Sequence, residues 1–303
     1  MAVESDDEVK AARSAQRSAA QQALLISHAR SAAVRYRFIA RAGAEGDSPP
    51  MARLLRGSGG RGGATRLQLY LSMLWLARNE DRPVFQYPAI TWTLLLGYGD
   101  NPAGVRRVQE ALRWLDREAF IELRRRQGAP SAVHLLSDAG TGRPYQAPGP
   151  AIKTLPRAQR DEHLYVQLPA GLWTNGWIME LSGAAVAMYL VLLHERRGEN
   201  KQVWLSPRIG REVYDLSDET RRKGLTELAA HGLIKVSKRP LHQGLFDDPL
   251  RTRHVYDLNP DALGQLDPHE ATTGAPVAFN RPARPFNNDD DPQAVWQRRI
   301  NDL

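Results

Sequence analysis

The residues best suited to chemistry are arginines and their neighbours, set in two similar patterns. In the first, Arg106, Arg107, Gln109 and Arg113 lie among the apolar positions Val105, Val108, Leu112 and Leu115, and Arg124, Arg125 and Arg126 follow. In the second, Thr220, Arg222, Lys223 and Thr226 surround Leu225 and Leu228, with Lys238, Arg239, Arg251 and Arg253 downstream. Apolar side chains three and four apart share one helix face, so the polar set points away from it. Arg and Gln side chains match the hydrogen-bonding edges of guanine and adenine, and basic loops neutralise phosphate. The chemistry implied is recognition of double-stranded DNA. Arg221 is ambiguous, because the repeat described below places it where the first pattern has Val108. A solvated helix face is the bland alternative for any single basic helix, and the repetition argues against it.

Catalytic patterns are missing. His194-Glu195 continues into Arg196-Arg197, so it does not complete a zinc signature, and no Gly-x-Ser-x-Gly or Walker sequence occurs. The glycines at 57, 59, 60, 62 and 63 lack a Gly-Lys-Ser/Thr ending. His134 and His254 fall on expected strands, where a structural or phosphate-adjacent role fits better than catalysis, and Asp289, Asp290 and Asp291 are simply consecutive. With no cysteine, disulfides and thiolate metal sites are excluded. No active site, metal or cofactor is assigned, and the chain is expected not to be an enzyme.

The elements that position these side chains follow from local signals. Val203-Trp204-Leu205 has strand composition, and Ser206-Pro207 opens a short helix running to about Val213. Ser217 caps the next helix, whose first turn carries Asp218 and Glu219 and which stops at His231-Gly232. Gly224 is expected close to the preceding helix. Leu233, Ile234 and Val236 alternate as a strand, and residues 253–258 supply its antiparallel partner. The earlier region runs likewise: an amphipathic helix at 65–78, a strand at Val84-Phe85, a helix near 88–96, an Asn101-Pro102 start leading to Arg117, then strands at 120–123 and 133–136. One constant shift along the chain carries Leu112 onto Leu225, Leu115 onto Leu228 and Ile121 onto Ile234.

The segment "LSDETRRKGLTELAAHGLIKV" resembles the recognition-helix-plus-wing part of winged-helix bacterial regulators and plasmid replication initiators. The resemblance covers roughly a fifth of the chain and implies a helix in the major groove with a wing on the backbone. The expected fold is mainly α with small β wings (α+β), built from two winged helix-turn-helix domains. Three functions follow: a transcriptional regulator, a plasmid or phage replication initiator binding repeated origin sites, or a winged-helix adaptor for proteins. The regulator is the primary expectation.

With 303 residues, 42% of them hydrophobic, the chain can bury two domain cores. It has no apolar run long enough to span a membrane. The start (MAVESDDEVK) lacks the apolar core of an export signal, so a cytoplasmic, nucleoid-associated protein is expected. A net charge of +7 favours an anionic partner, although residues 65–136 carry only +3 and residues 163–258 only +2. Charge distribution must therefore matter more than its sum. Residues 1–42 are expected to form a long helix, packing on the body, dimerising, or holding phosphate through Arg30, Arg35, Arg37 and Arg41. Residues 43–64 and 137–162 are read as linkers, and 259–303 as a mostly disordered tail. Its short terminal helix around Trp296 and Ile300 either docks on the body or binds a protein partner.

Overall fold

Residues 6–42 do not form one helix. In the computed structural model, which describes residues 6–43, 46–56, 62–197, 202–240, 252–259, 261–265 and 268, helix α1 (Asp6–Ser27) ends before His28, whose φ is 50°. Ser31–Arg35 then form strand β1, with Ala32 and Val34 buried and Val34 opposite Val166 of a later strand. The partner lies far along the chain, so tertiary pairing overrides the helical composition. A single turn, α2 (Tyr36–Ile39), follows, and then α3 (Pro50–Leu55), which buries Met51, Ala52 and Leu54. The stretch expected as a linker therefore contains a packed helix.

Helix α4 (Gly62–Ala77) is not the one-sided helix its pattern suggested. Every residue from Leu67 to Trp75 is buried. A helix apolar on all sides belongs in an interior, and α4, the opening helix of the first unit, contacts α1, α3, β1, a later helix of its own unit and the opening helix of the second unit. Its polar side chains are satisfied: Gln68 donates to the carbonyls of Ile178 (2.8 Å) and Leu181 (3.1 Å), and Ser72 accepts from Trp173 Nε1 at 2.8 Å. Trp75 stacks on Trp173 with centroids 4.6 Å apart and donates to Ala29 O at 2.7 Å.

The first unit continues through β2 (Val84–Phe85), α5 (Ala89–Leu95), α6 (Pro102–Arg117), β3 (Ile121–Arg126) and β4 (Ala129–Leu135), its sheet ordered β2-β4-β3. The expected linker after it holds helices α7 (Pro148–Thr154) and α8 (Arg157–Arg160), with Tyr145, Ala147 and Ala151 buried. Strand β5 (Tyr165–Pro169) pairs with β1, and two turns, α9 (Gly171–Thr174) and α10 (Trp177–Glu180), lead onward.

The second unit comprises α11 (Gly183–Arg196), an isolated bridge at Val203, α12 (Pro207–Glu212), α13 (Asp218–Ala230), β6 (Ile234–Pro240) and β7 (Thr252–Leu258). Val203 pairs with Tyr256 as Phe85 pairs with Val133, so the short strand lies against the returning strand in both units. The shift that carries Ile121 onto Ile234 also carries β3 onto the start of β6, but β4 reaches β7 only with a larger one. The second hairpin is longer by that difference. A last turn, α14 (Ala262–Gln265), buries Leu263 beside Gly171. The expected terminal helix near Trp296 lies outside the described residues.

The architecture is mixed α and β with small antiparallel sheets. One apolar core runs through both units, and α4 meets α11 where a Cβ on Gly183 would come within 2.9 Å of Ala64 Cα. No helix among the described residues is long and apolar enough to cross a membrane.

Candidate nucleic-acid interface

Helix α6 starts where sequence signals put it: Asn101 Oδ1 accepts from Gly104 N at 2.8 Å, with Pro102 in the first helical position. Val108, Ala111 and Leu115 face inward, whereas Val105 and Leu112, expected in the same stripe, are half-buried at its edges. Arg106, Gln109 and Arg113 are exposed. Arg106 and Gln109 border a shallow depression beside Val105. Arg107 departs from this set: it is half-buried, its guanidinium 4.7 Å from the Tyr98 ring centroid.

The hairpin after α6 is anchored by Asp116 Oδ1, which accepts from Leu123 N at 2.8 Å. Its arginines differ in availability. Arg124 donates to both carboxylate oxygens of Glu122 (2.9 and 3.1 Å), and this bonding holds the Glu122 carboxyl below its usual range. Arg126 donates to Gln86 Oε1 at 2.5 Å. Arg125 is exposed and has no carboxylate partner among the described residues.

In the second unit Ser206 Oγ accepts from Ile209 N and Ser217 Oγ from Thr220 N, each at 3.1 Å. Leu225 and Leu228 are buried. Gly224 does seat α13 closely, but against α11 rather than the preceding α12: a Cβ there would lie 2.3 Å from Ala184 O. Arg221 is mostly covered, packing by Gly210 with an ion pair to Asp218 at 3.9 Å. Arg222 and Thr226 are exposed, and Thr220 is half-buried. Lys223 pairs with Glu219 at 2.7 Å, which lowers the Glu219 carboxyl. On the hairpin Lys238 is exposed, Arg239 donates weakly to Gln202 Oε1 (3.4 Å), and Arg253 sits 5.1 Å from the Trp204 ring centroid. Arg251 lies outside the described residues. Arg107, Thr220, Arg222, Lys223 and Thr226 all line one cleft between the units, about 910 Å³ in volume. The structure thus brings the outward face of α13 opposite one edge of α6.

Of the arginines proposed as a basic arm, Arg35, Arg37 and Arg41 are ion-paired within the protein, while Arg30 is exposed and makes no ion pair among the described residues. Arg35 is buried and ion-paired with the fully buried Asp138, while its Nη2 lies 3.1 Å from His163 Nδ1. Burial pushes the Asp138 carboxyl up, against the pull of Arg35. Arg37 reaches Glu162 at 3.5 Å. Arg41 pairs with Asp215 at 3.0 Å, and Arg56 donates to the Asp215 carbonyl at 3.2 Å and pairs with its carboxylate. Asp215, at φ 53°, forms the turn between α12 and α13. A single left-handed Asp in a turn is tolerable because its side chain can bond locally. This clamp was invisible in the sequence, since Arg41 and Arg56 come from the opposite end of the described chain.

No group of three or more His, Asp or Glu residues able to hold a metal is found among the described residues. Compared with family models, curated proteins and solved structures, the chain matches none of them.

Proposed function

We propose that the chain is a sequence-specific double-stranded DNA-binding protein, built from two winged helix-turn-helix modules and acting as a bacterial transcriptional regulator. The observation that carries this proposal is the repeated strand pairing. In the first unit a short strand, and in the second a single bridge residue at Val203, follows the first helix and pairs with the returning strand of the hairpin, and a side-chain-capped third helix precedes that hairpin. In the winged-helix scheme such a third helix enters the major groove while the hairpin meets the backbone. Exposed cations that make no direct ion pair among the described residues support it: Arg106, Arg113 and Arg125 in the first unit and Arg222 in the second.

The experiment is selection of duplexes from a random pool by the full-length chain. Enrichment of a short motif is expected. Recovery of unenriched sequence after repeated rounds overturns sequence-specific binding.

One observation favours an adaptor role for the second unit. Its basic side chains are largely engaged on their own surface: Arg208 with Glu212, Arg211 with Asp218 and Lys223 with Glu219. Under that alternative, Arg222→Ala leaves DNA affinity unchanged while Arg106→Ala lowers it.

A further inference from the structure

We propose that the cleft between the two units is a binding site for a small amphipathic anion, an aromatic body carrying one anionic group. At about 910 Å³ it falls within the range of small-molecule sites, and it sits between packed units where such sites concentrate. Its apolar lining surface comes from the half-buried Leu55, Tyr98 and Met179, with Leu96, Ile178 and Leu181 fully buried behind them. Gln68, also in the lining, already spends its amide hydrogens on the Ile178 and Leu181 carbonyls. An occupant therefore gains mainly from apolar contact there.

Charge at the rim decides the sign of the ligand. Three carboxylates line the cleft, and each is engaged within the protein. Glu180 pairs with Arg13 at 3.1 Å, and Glu219 pairs with Lys223 at 2.7 Å. Glu227 accepts from Ser182 N at 2.7 Å and from Ser182 Oγ at 2.5 Å, at the positive start of α11. Two guanidiniums, those of Arg107 and Arg222, make no direct ion pair among the described residues, although the Arg222 charge is felt by Glu219 at longer range. Arg107 comes from the first unit and Arg222 from the second, so the cleft places one such cation on each unit. Guanidiniums bind carboxylate, sulfonate and phosphate oxygens with strong charge-assisted hydrogen bonds. The site stands without the DNA proposal. Only its regulatory consequence, that an occupant covers the outward face of α13, rests on that proposal.

The test titrates the full chain, without DNA, with anilinonaphthalene sulfonate and with phenylnaphthylamine, the same type of aromatic body lacking the sulfonate. Saturation at one sulfonate probe per chain is expected. Arg222→Gln and Arg107→Gln should each weaken that probe about tenfold, the scale of one charge-assisted hydrogen bond, and leave the neutral amine unchanged. Thr226→Trp, which fills the cleft from an exposed position, should block both probes. Thermal melts establish that each variant is folded. Unchanged sulfonate affinity in either Gln variant, equal weakening of both probes, or binding that does not saturate at one per chain overturns the proposal.

Discussion

Gly224→Ala tests how α13 is held. A Cβ at that position would lie 2.3 Å from Ala184 O, 2.8 Å from Ala184 C and 2.7 Å from Met188 Cγ. The Met side chain can move, but the carbonyl belongs to the backbone of α11, so the two helices must separate by about an ångström to restore ordinary contact. Overpacking of this kind costs roughly 1–3 kcal/mol, and an obstructing backbone argues for the upper end. Against that, Ala is favoured over Gly in a helix interior by about 1 kcal/mol. The net expectation is a loss of about 2 kcal/mol, a fall in Tm of roughly 4–8 °C at the sensitivity of chains of about 150–250 residues. Urea and thermal unfolding of the purified variant read it directly. Because propensity and packing have opposite signs here, the sign is decisive. Stabilisation by about 1 kcal/mol, the propensity gain alone, would mean that Gly224 is an ordinary surface glycine, and the close approach of α13 to α11 would be wrong.

Three further outcomes follow from the ion pairs and the exposed arginines. Removing either partner of the buried Arg35–Asp138 pair should cost about 3–5 kcal/mol, while a double apolar replacement such as Arg35→Met with Asp138→Leu should recover most of it in urea melts. Burial raises the Asp215 carboxyl, but hydrogen bonds from Ser48 and Arg56 and the charges of Arg41 and Arg56 outweigh it and leave its folded pKa depressed. Its stabilisation is therefore present above the usual carboxylate value of about 4 and lost as pH falls through the lower folded value. Asp215→Asn, which tolerates the same left-handed turn, should lose about 1–3 kcal/mol near neutrality and flatten the acid limb of a stability–pH profile; an acid limb unchanged from wild type would remove Asp215 from that role. On DNA, Arg125→Ala should weaken all duplexes similarly and reduce the salt slope by about one unit, since its hairpin position suits phosphate rather than a base.

Much of the fold was legible because its signals are local. The Asn101, Ser206 and Ser217 caps mark their helix starts, and a single shift along the chain aligns the ends of α6 and α13 and the starts of the strands after them. What stayed hidden depends on distant partners. Residues 31–35 have helical composition but pair with 165–169, whereas the burial of α4 on every side was there to be read, since Leu67, Leu69, Tyr70, Leu71, Met73, Leu74 and Trp75 circle the helix. The same limit applied to the candidate site. Outward positions on α6 and α13 could be inferred from their apolar stripes, yet nothing local distinguished Arg106 from Arg107, which lies over Tyr98. Arg35 and Arg41 read as free cations because Asp138 and Asp215, their partners, lie far downstream in separate elements. An arginine's role depends on the carboxylate beside it, and that proximity is a property of the fold.

The central claim, that exposed arginines on α6 and α13 read DNA sequence, is tested most directly by titrating wild type, Arg106→Ala and Arg222→Ala on a selected and a scrambled duplex across a salt series. Log K is expected to fall linearly with log salt by about 0.9 per phosphate neutralised, with on the order of 6–10 phosphates engaged. Each substitution should cost roughly 1–3 kcal/mol on the selected duplex and much less on the scrambled one. A flat salt response, or equal losses on both duplexes in folded variants, would contradict it.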